Sequence, residues 1–124
     1  MNWKDYFEKT PGTGYLATTD KEGRVDIAVY SPPWVQEDGT LVFGMADRLT
    51  HANLQENRFA AYAHTPGGYQ GVRLYLEKVK EETEGPVLEE IKGHADRVSV
   101  PGAGAAIEYA VHFRIVKDLP LVGT

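Results

Sequence analysis

The segment over residues 41–64, LVFGMADRLTHANLQENRFAAYAH, is the most informative part of the chain because it alternates apolar runs with turn and helix signals. Residues 41–43 are typical of a buried strand, and the small residues at 44–46 form a compact break. Asp47 is a favourable N-cap for the helix that follows. A run of small apolar residues then covers positions 59–64. The segment therefore predicts a strand, a turn, a helix and a second strand.

The predicted start of this helix carries groups that suit an anion. The first N–H groups of a helix have no partner within it, and Arg48 and Thr50 place a guanidinium and a hydroxyl beside them. Together these donors would receive a phosphate. The simpler alternative is that Asp47 caps a surface helix and Arg48 is solvated, and capped helices are commoner than phosphate sites.

The other segments are mostly strands. Trp3, Tyr6 and Phe7 have the three-to-four spacing of a short helix. A further helix is predicted to begin at Gly85 and Pro86 and to run towards residues 94–98. Apolar runs and period-two alternation predict strands over residues 15–19, 25–30, 72–77 and 107–115.

The number and spacing of the strands predict the architecture. Six strands with few strand–helix alternations favour an antiparallel barrel over a doubly wound sheet. The stretches 66–68 and 101–104, rich in glycine and proline, are predicted to be loops, the second a plain connection. Because no linker or repeat divides the chain, residues 1–124 form one predicted domain.

Several strand positions opposite the predicted core are too apolar for a solvated surface. A second copy of the chain would bury them, and so would helices of the same chain; the residues alone do not choose between the two. These positions are Ala28, Tyr30, Tyr75, Ala110 and Val116.

Composition narrows the classes of function. A net charge of -5, with basic residues scattered among acidic ones, argues against nucleic-acid binding. The absence of cysteine excludes a disulfide framework and a thiolate site. No signal-peptide core or membrane-length apolar run is present, so the expected location is the cytoplasm. The four histidines are too far apart to indicate a metal site and are expected to be surface or satisfied side chains.

The order and spacing of these segments resemble those of the FMN-binding split barrels, the superfamily of pyridoxamine 5'-phosphate oxidase and the small FMN-binding proteins of sulfate-reducing bacteria. In these families a strand runs into a turn with basic and hydroxyl residues, and the next helix ends in an Asn, here Asn57. Residues 27–31 resemble the strand along the flavin, and residues 71–86 the long strand ending in Gly-Pro. Leu49 stands where relatives often carry a second basic residue. The resemblance implies a mainly β protein with short helices, a six-stranded antiparallel split β-barrel that forms a homodimer.

The resemblance also implies an FMN site near the subunit interface. The phosphate would lie at the turn before the helix, the isoalloxazine ring along residues 27–30, and residues 69–71 would come from the partner subunit. In a split barrel the loop 101–104 could also lie near the flavin mouth, although a plain connection is the simpler interpretation. No catalytic or metal-binding residue is implied. The implied FMN-binding residues are Ile27, Ala28, Val29, Tyr30, Gly44, Met45, Asp47, Arg48, Leu49, Thr50, Tyr69, Gln70 and Gly71.

The function implied by this resemblance is a small flavoprotein that passes electrons or hydride between FMN and a partner or substrate. An enzyme of this kind would be an FMN-dependent oxidoreductase, with NAD(P)H or a protein as redox partner. Two alternatives stay open on the same fold: a non-catalytic protein that binds flavin, haem or another planar ligand, and a deazaflavin-dependent reductase. Nothing after Lys117 resembles the vitamin-phosphate recognition tail of the oxidase, so pyridoxamine phosphate is not the implied substrate.

Overall fold

The computed structural model describes residues 1–124 and contains three α-helices, one short 3₁₀ helix and seven strands. The elements along the chain are α1 (Trp3–Lys9), β1 (Thr13–Thr19), β2 (Val25–Val29), β3 (Trp34–Val35), β4 (Leu41–Met45), α2 (Leu49–Glu56), β5 (Phe59–Gly67), β6 (Gln70–Glu82), α3 (Pro86–Val98), the 3₁₀ helix (Ala103–Ala106) and β7 (Tyr109–Pro120). No helix is long and apolar enough to cross a membrane.

The order strand, turn, helix and strand predicted for residues 41–64 is confirmed by β4, α2 and β5. The break predicted at residues 44–46 is wrong for Gly44 and Met45, because both continue β4 and pair with β7. The predicted N-cap is wrong, because Arg48 and not Asp47 occupies that position. The Arg48 N–H donates to the carbonyl of Ala46 (2.9 Å), and the Arg48 backbone is extended. This tight turn delays the helix by one residue, and no side chain caps it.

The sheet has seven strands, so the prediction of six is wrong by one short strand. A turn over residues 36–40 folds β3 back on β4, where Trp34 pairs with Val42. Two residues are too few for a periodic pattern to show in the sequence. The loop predicted at residues 66–68 is also shorter than expected, because β5 continues to Gly67 before it turns into β6.

All strand pairs are antiparallel, in the order β2-β1-β5-β6-β7-β4-β3. Strands β4 and β5 are not neighbours in this order, yet the rings of Phe43 and Tyr62 lie 4.9 Å apart between centroids. The sheet therefore curls around one core, and its end strands β2 and β3 do not pair, so the barrel is open. The buried apolar residues of this core are Phe7, Leu16, Val35, Leu41, Phe43, Met45, Leu54, Tyr62, Leu74, Leu76, Val111 and Phe113.

Helix α3 covers the outer side of β4 and β7. Leu88 and Ile91 of α3 form a second buried cluster with Val42 and Ala110, so a helix of the same chain buries Ala110. Residues 101–104 do not form a plain connection as predicted. The 3₁₀ helix begins at Ala103, and its Gly104 is buried against α3. A Cβ at Gly104 would lie 2.4 Å from the carbonyl oxygen of Lys92, which explains the need for glycine there.

Strand β2 turns its β-branched residues outward. Val25, Ile27 and Val29 are 79%, 68% and 69% exposed, and we call them the β2 strip. Tyr30 instead packs against the core, with its ring 6.0 Å from that of Phe43 between centroids. The sequence-based assignment of Ala28 and Tyr30 to the outer face is therefore wrong, because Ala28 pairs with the core residue Leu16 and Tyr30 lies two residues further along the same face.

Candidate functional site

A cavity of about 480 Å³ lies between the end of β2, strand β4, the start of α2, helix α3 and the 3₁₀ helix. Its size is within the range of pockets that hold cofactors and other small ligands. The residues that line it are Ala28, Val29, Tyr30, Ser31, Pro32, Val42, Phe43, Gly44, Ala46, Arg48, Thr50, Ile91, His94, Ala95, Val98, Ser99, Ala103, Ala106 and Ile107. The walls are mostly apolar, and the start of α2 contributes Arg48 and Thr50 to the polar groups.

The start of α2 presents unpaired backbone donors. The first hydrogen bond within the helix runs from the N–H of Ala52 to the carbonyl of Arg48 (3.0 Å). The N–H groups of residues 49–51 have no backbone partner, and no side chain caps the helix. These free donors and the positive end of the helix dipole favour an anion.

Three side chains converge near this helix start. Thr50 is buried, and Arg48 is exposed with no ion pair. Burial raises the pKa of the Tyr30 hydroxyl, while the Thr50 side chain and the Arg48 charge act on it in the opposite direction. Tyr30, Arg48 and Thr50 also line the same cavity, so all three can act on one ligand.

Helix α2 is held in place by polar contacts with the sheet. His51 Nε2 lies 2.7 Å from a carboxylate oxygen of Glu81, and Gln55 donates to the other oxygen of that carboxylate (2.8 Å). Burial alone would raise the pKa of Glu81, but hydrogen bonds from Gln55, His51 and Lys78 lower it to about 2. The His51 ring also stacks on that of Tyr109, with 3.6 Å between centroids. A charged Glu81 thus fixes the helix whose first turn carries Thr50.

The floor of the cavity depends on a glycine in β4. A Cβ at Gly44 would lie 2.5 Å from Cδ1 of Ile107, so any larger residue would displace the Ile107 side chain. Gly44 therefore lets Ile107 of the same chain pack flat on the strand and form part of the cavity wall.

His94 forms the wall opposite β4. Its Nε2–H donates to the carbonyl of Pro32 (2.8 Å), which holds α3 to the segment after β2. Burial lowers the pKa of His94, and the nearby Arg97 charge lowers it further, so the ring is neutral at pH 7. A neutral ring that donates through Nε2 keeps a lone pair on Nδ1.

The structure brings only part of the sequence-predicted set into this cavity. The residues it brings together are Ala28, Val29, Tyr30, Gly44, Arg48 and Thr50. Met45 lies in the barrel core, whereas Ile27, Asp47 and Leu49 are exposed. Tyr69, Gln70 and Gly71 lie at the turn between β5 and β6, with Tyr69 88% exposed. Their assignment to the partner subunit's side of the site stays a prediction.

Sequence reasoning missed the contribution of α3 and the 3₁₀ helix. Ile91, Ala95 and Val98 have the three-to-four spacing of an apolar helix face. That spacing predicts the face, but it does not predict which surface the face covers. Ala103 and Ala106 carry no chemical signal of their own.

The histidines are not on the surface. His51, His64 and His112 are buried, and each makes a side-chain hydrogen bond. His64 Nδ1 lies 3.0 Å from the hydroxyl of Tyr6, but its Nε2 has no partner. Burial lowers the pKa of His64, so this ring is neutral inside the aromatic end of the barrel.

Comparisons with known proteins identify the fold. An FMN-binding protein from Syntrophomonas wolfei subsp. wolfei superposes with a TM-score of 0.82 and 24% identity, over 98% of this chain and 84% of that one. An F420 reductase gives a TM-score of 0.71 and 18% identity, over 93% and 94% of the two chains. HutZ, a haem storage protein from Vibrio cholerae, gives a TM-score of 0.61 and 16% identity, over 94% of this chain and 90% of that one. No protein-family model matches the sequence, and no curated protein matches it.

These similarities show the fold, an antiparallel split barrel of the FMN-binding type. The sequence resemblance to that superfamily is thereby confirmed at the level of the fold. Proteins of this fold bind different ligands, as the FMN, F420 and haem proteins among the similar structures illustrate, so the fold alone does not choose the ligand.

Proposed function

We propose that this protein binds FMN in the 480 Å³ cavity and uses it for electron or hydride transfer, as a homodimer. The observation that carries the proposal is the start of α2, where Arg48 and Thr50 line the cavity and the N–H groups of residues 49–51 are uncapped. These donors favour an anion, and the terminal phosphate of FMN supplies one. Free riboflavin has no phosphate, and the anionic groups of haem are carboxylates.

The rest of the cavity fits a flavin ring. Phe43, Val42 and Ile107 provide an apolar wall, and the segment from Ala28 to Tyr30 adds backbone groups at its edge. The bound flavin would supply the redox chemistry. The protein would orient the flavin, exclude water and bind its phosphate. Arg48 and Thr50 are assigned to the phosphate, and residues 28–30 to the ring.

The homodimer is proposed from the outer face of the sheet. Cross-strand pairs place Ile27, Ala17, Ala61 and Tyr75 in one row over four strands, on the face opposite the core residues Leu16 and Tyr62. The exposed β2 strip lies at the edge of this face, and because exposed apolar residues are costly to hydrate, a second copy would bury them. An obligate pair is expected to bury at least about 1,600 Å².

The first experiment is a titration of the purified protein with FMN, followed by its visible spectrum and flavin fluorescence. We expect one FMN per chain, and bleaching of the bound flavin by NADH or NADPH if a nicotinamide cofactor is the electron donor. Haem and F420 are titrated in parallel, because proteins of the same fold bind them. If the protein does not bind FMN in excess but binds haem or F420, the result would contradict the proposal.

The second experiment is sedimentation at micromolar concentration with FMN bound. A dimer is expected, and a monomer that still holds FMN would contradict the proposed assembly. The redox partner, whether NAD(P)H or a protein, and the cytoplasmic location stay predictions.

A further inference from the structure

A second cavity, of about 280 Å³, lies on the other side of His94. It is formed by α1, the segment around β3 and the last turn of α3, and it shares Pro32, His94 and Val98 with the larger cavity. Phe7 and Trp34 give it aromatic walls. The Trp34 ring is fixed by an edge contact with His94, with 5.6 Å between centroids.

The charges around this cavity are not balanced. Lys4 and Arg97 are its cationic residues, and Glu8 is its acidic one. Glu8 is paired with Lys4 (2.9 Å), so its charge is neutralised within α1. Arg97 makes no ion pair and no hydrogen bond in the chain. One guanidinium at the rim is therefore free for an anion.

The helix provides space for this guanidinium. Nη1 of Arg97 lies 3.4 Å from the point where a Cβ of Gly93 would stand, so the side chain folds back along α3. A glycine inside a helix is less stable than an alanine, so its presence here needs a reason such as this contact. The same position keeps the Arg97 charge near His94, which it influences electrostatically.

We propose that the second cavity binds a small planar aromatic carboxylate, with the ring against Trp34 and Phe7 and the carboxylate at Arg97. Aromatic walls favour a flat apolar ring, and a guanidinium matches the two oxygens of a carboxylate. The cavity is at the lower end of ligand-pocket sizes, which favours a single-ring molecule. This site does not depend on FMN, although its shared wall would place the two ligands side by side.

The probe is benzoate, with benzamide as an uncharged control of the same shape. The chain has two tryptophans, so Trp3→Phe leaves Trp34 as the only tryptophan to report binding by fluorescence. In the Trp3→Phe variant, benzoate should change the fluorescence of Trp34 saturably and should bind roughly ten-fold tighter than benzamide. Arg97→Gln should weaken benzoate by a similar factor and leave benzamide unchanged.

Lys21→Gln is the matched control, since it removes one positive charge from an exposed residue that does not line the cavity. Benzoate should bind this variant as before. Equal affinity for benzoate and benzamide, or an Arg97→Gln protein that binds benzoate normally, would overturn the proposal. Loss of benzoate binding in Arg48→Gln but not in Arg97→Gln would place the ligand in the first cavity and would overturn it too. Arg97 is exposed, so a thermal melt of Arg97→Gln should match that of the parent and exclude misfolding.

Discussion

Arg48→Ala is the substitution that tests the phosphate assignment most directly. In the structure the Arg48 side chain is exposed and makes no hydrogen bond or ion pair, so its loss should not disturb the fold. Surface changes of this kind usually alter stability by less than about 0.5 kcal/mol. The melting temperature of the variant should therefore match that of the parent.

The effect on FMN binding should be much larger. A hydrogen bond to a charged group contributes about 1.5–3 kcal/mol, which is roughly a ten- to hundred-fold change in affinity. Because Arg48 is open to solvent, salt screens its charge and the lower end, about ten-fold, is expected. Thr50→Val removes a neutral hydroxyl and should cost less, about 0.5–1.5 kcal/mol.

Riboflavin is the control ligand, because it has the same ring without the phosphate. Fluorescence titrations of both ligands against the parent and Arg48→Ala separate a phosphate contact from general damage. FMN affinity should fall while riboflavin affinity stays the same, and added salt should reduce the difference. Equal losses for the two ligands would refute the role of Arg48 in phosphate binding.

Three further substitutions test other parts of the structure. Leu49→Lys adds a positive charge at a residue that is 57% exposed, and because the new ammonium would attract the phosphate, it should tighten FMN but not riboflavin in the same titration. Ile27→Lys places a charge in the middle of the β2 strip and should give monomers by sedimentation, whereas Lys21→Gln should leave the dimer intact. His64→Phe tests the pH dependence: burial lowers the pKa of His64, so the unfolded chain binds a proton that the folded chain does not. Stability in urea should therefore fall as the pH drops below about 6.5, the ordinary histidine value, and this fall should be shallower in His64→Phe. An unchanged slope would show that His64 does not contribute to it.

Much of the fold was predictable because its signals are local. The apolar run at residues 41–43 and the run at 59–64 are strands, and the residues between them include a helix, as their patterns indicate. The Gly-Pro start of α3 is equally clear. The exact start of α2 was not, because the Ala46–Arg48 turn is set by backbone geometry that Asp47 does not reveal.

The candidate site was predictable only in part. Arg48 and Thr50 were recognisable because they are neighbours in sequence at a helix start. His94 and Ile107 were not, because nothing local indicates that α3 and the residue before β7 close over β4. The second cavity was not predictable at all, since α1, β3 and α3 meet there from distant parts of the chain.

Local patterns predict most of the elements, the antiparallel class and the basic and hydroxyl groups at the start of α2, because periodicity and turn residues act over a few neighbouring residues. The exposed face of β2 and the groups that share a cavity depend on the tertiary structure. The alternation of β2 is compatible with either face inward, and the choice follows from Tyr30 packing against Phe43 across the barrel. Curling of the sheet then brings Tyr30, Arg48 and His94 to one cavity, and such contacts between distant segments depend on the packing of the whole chain.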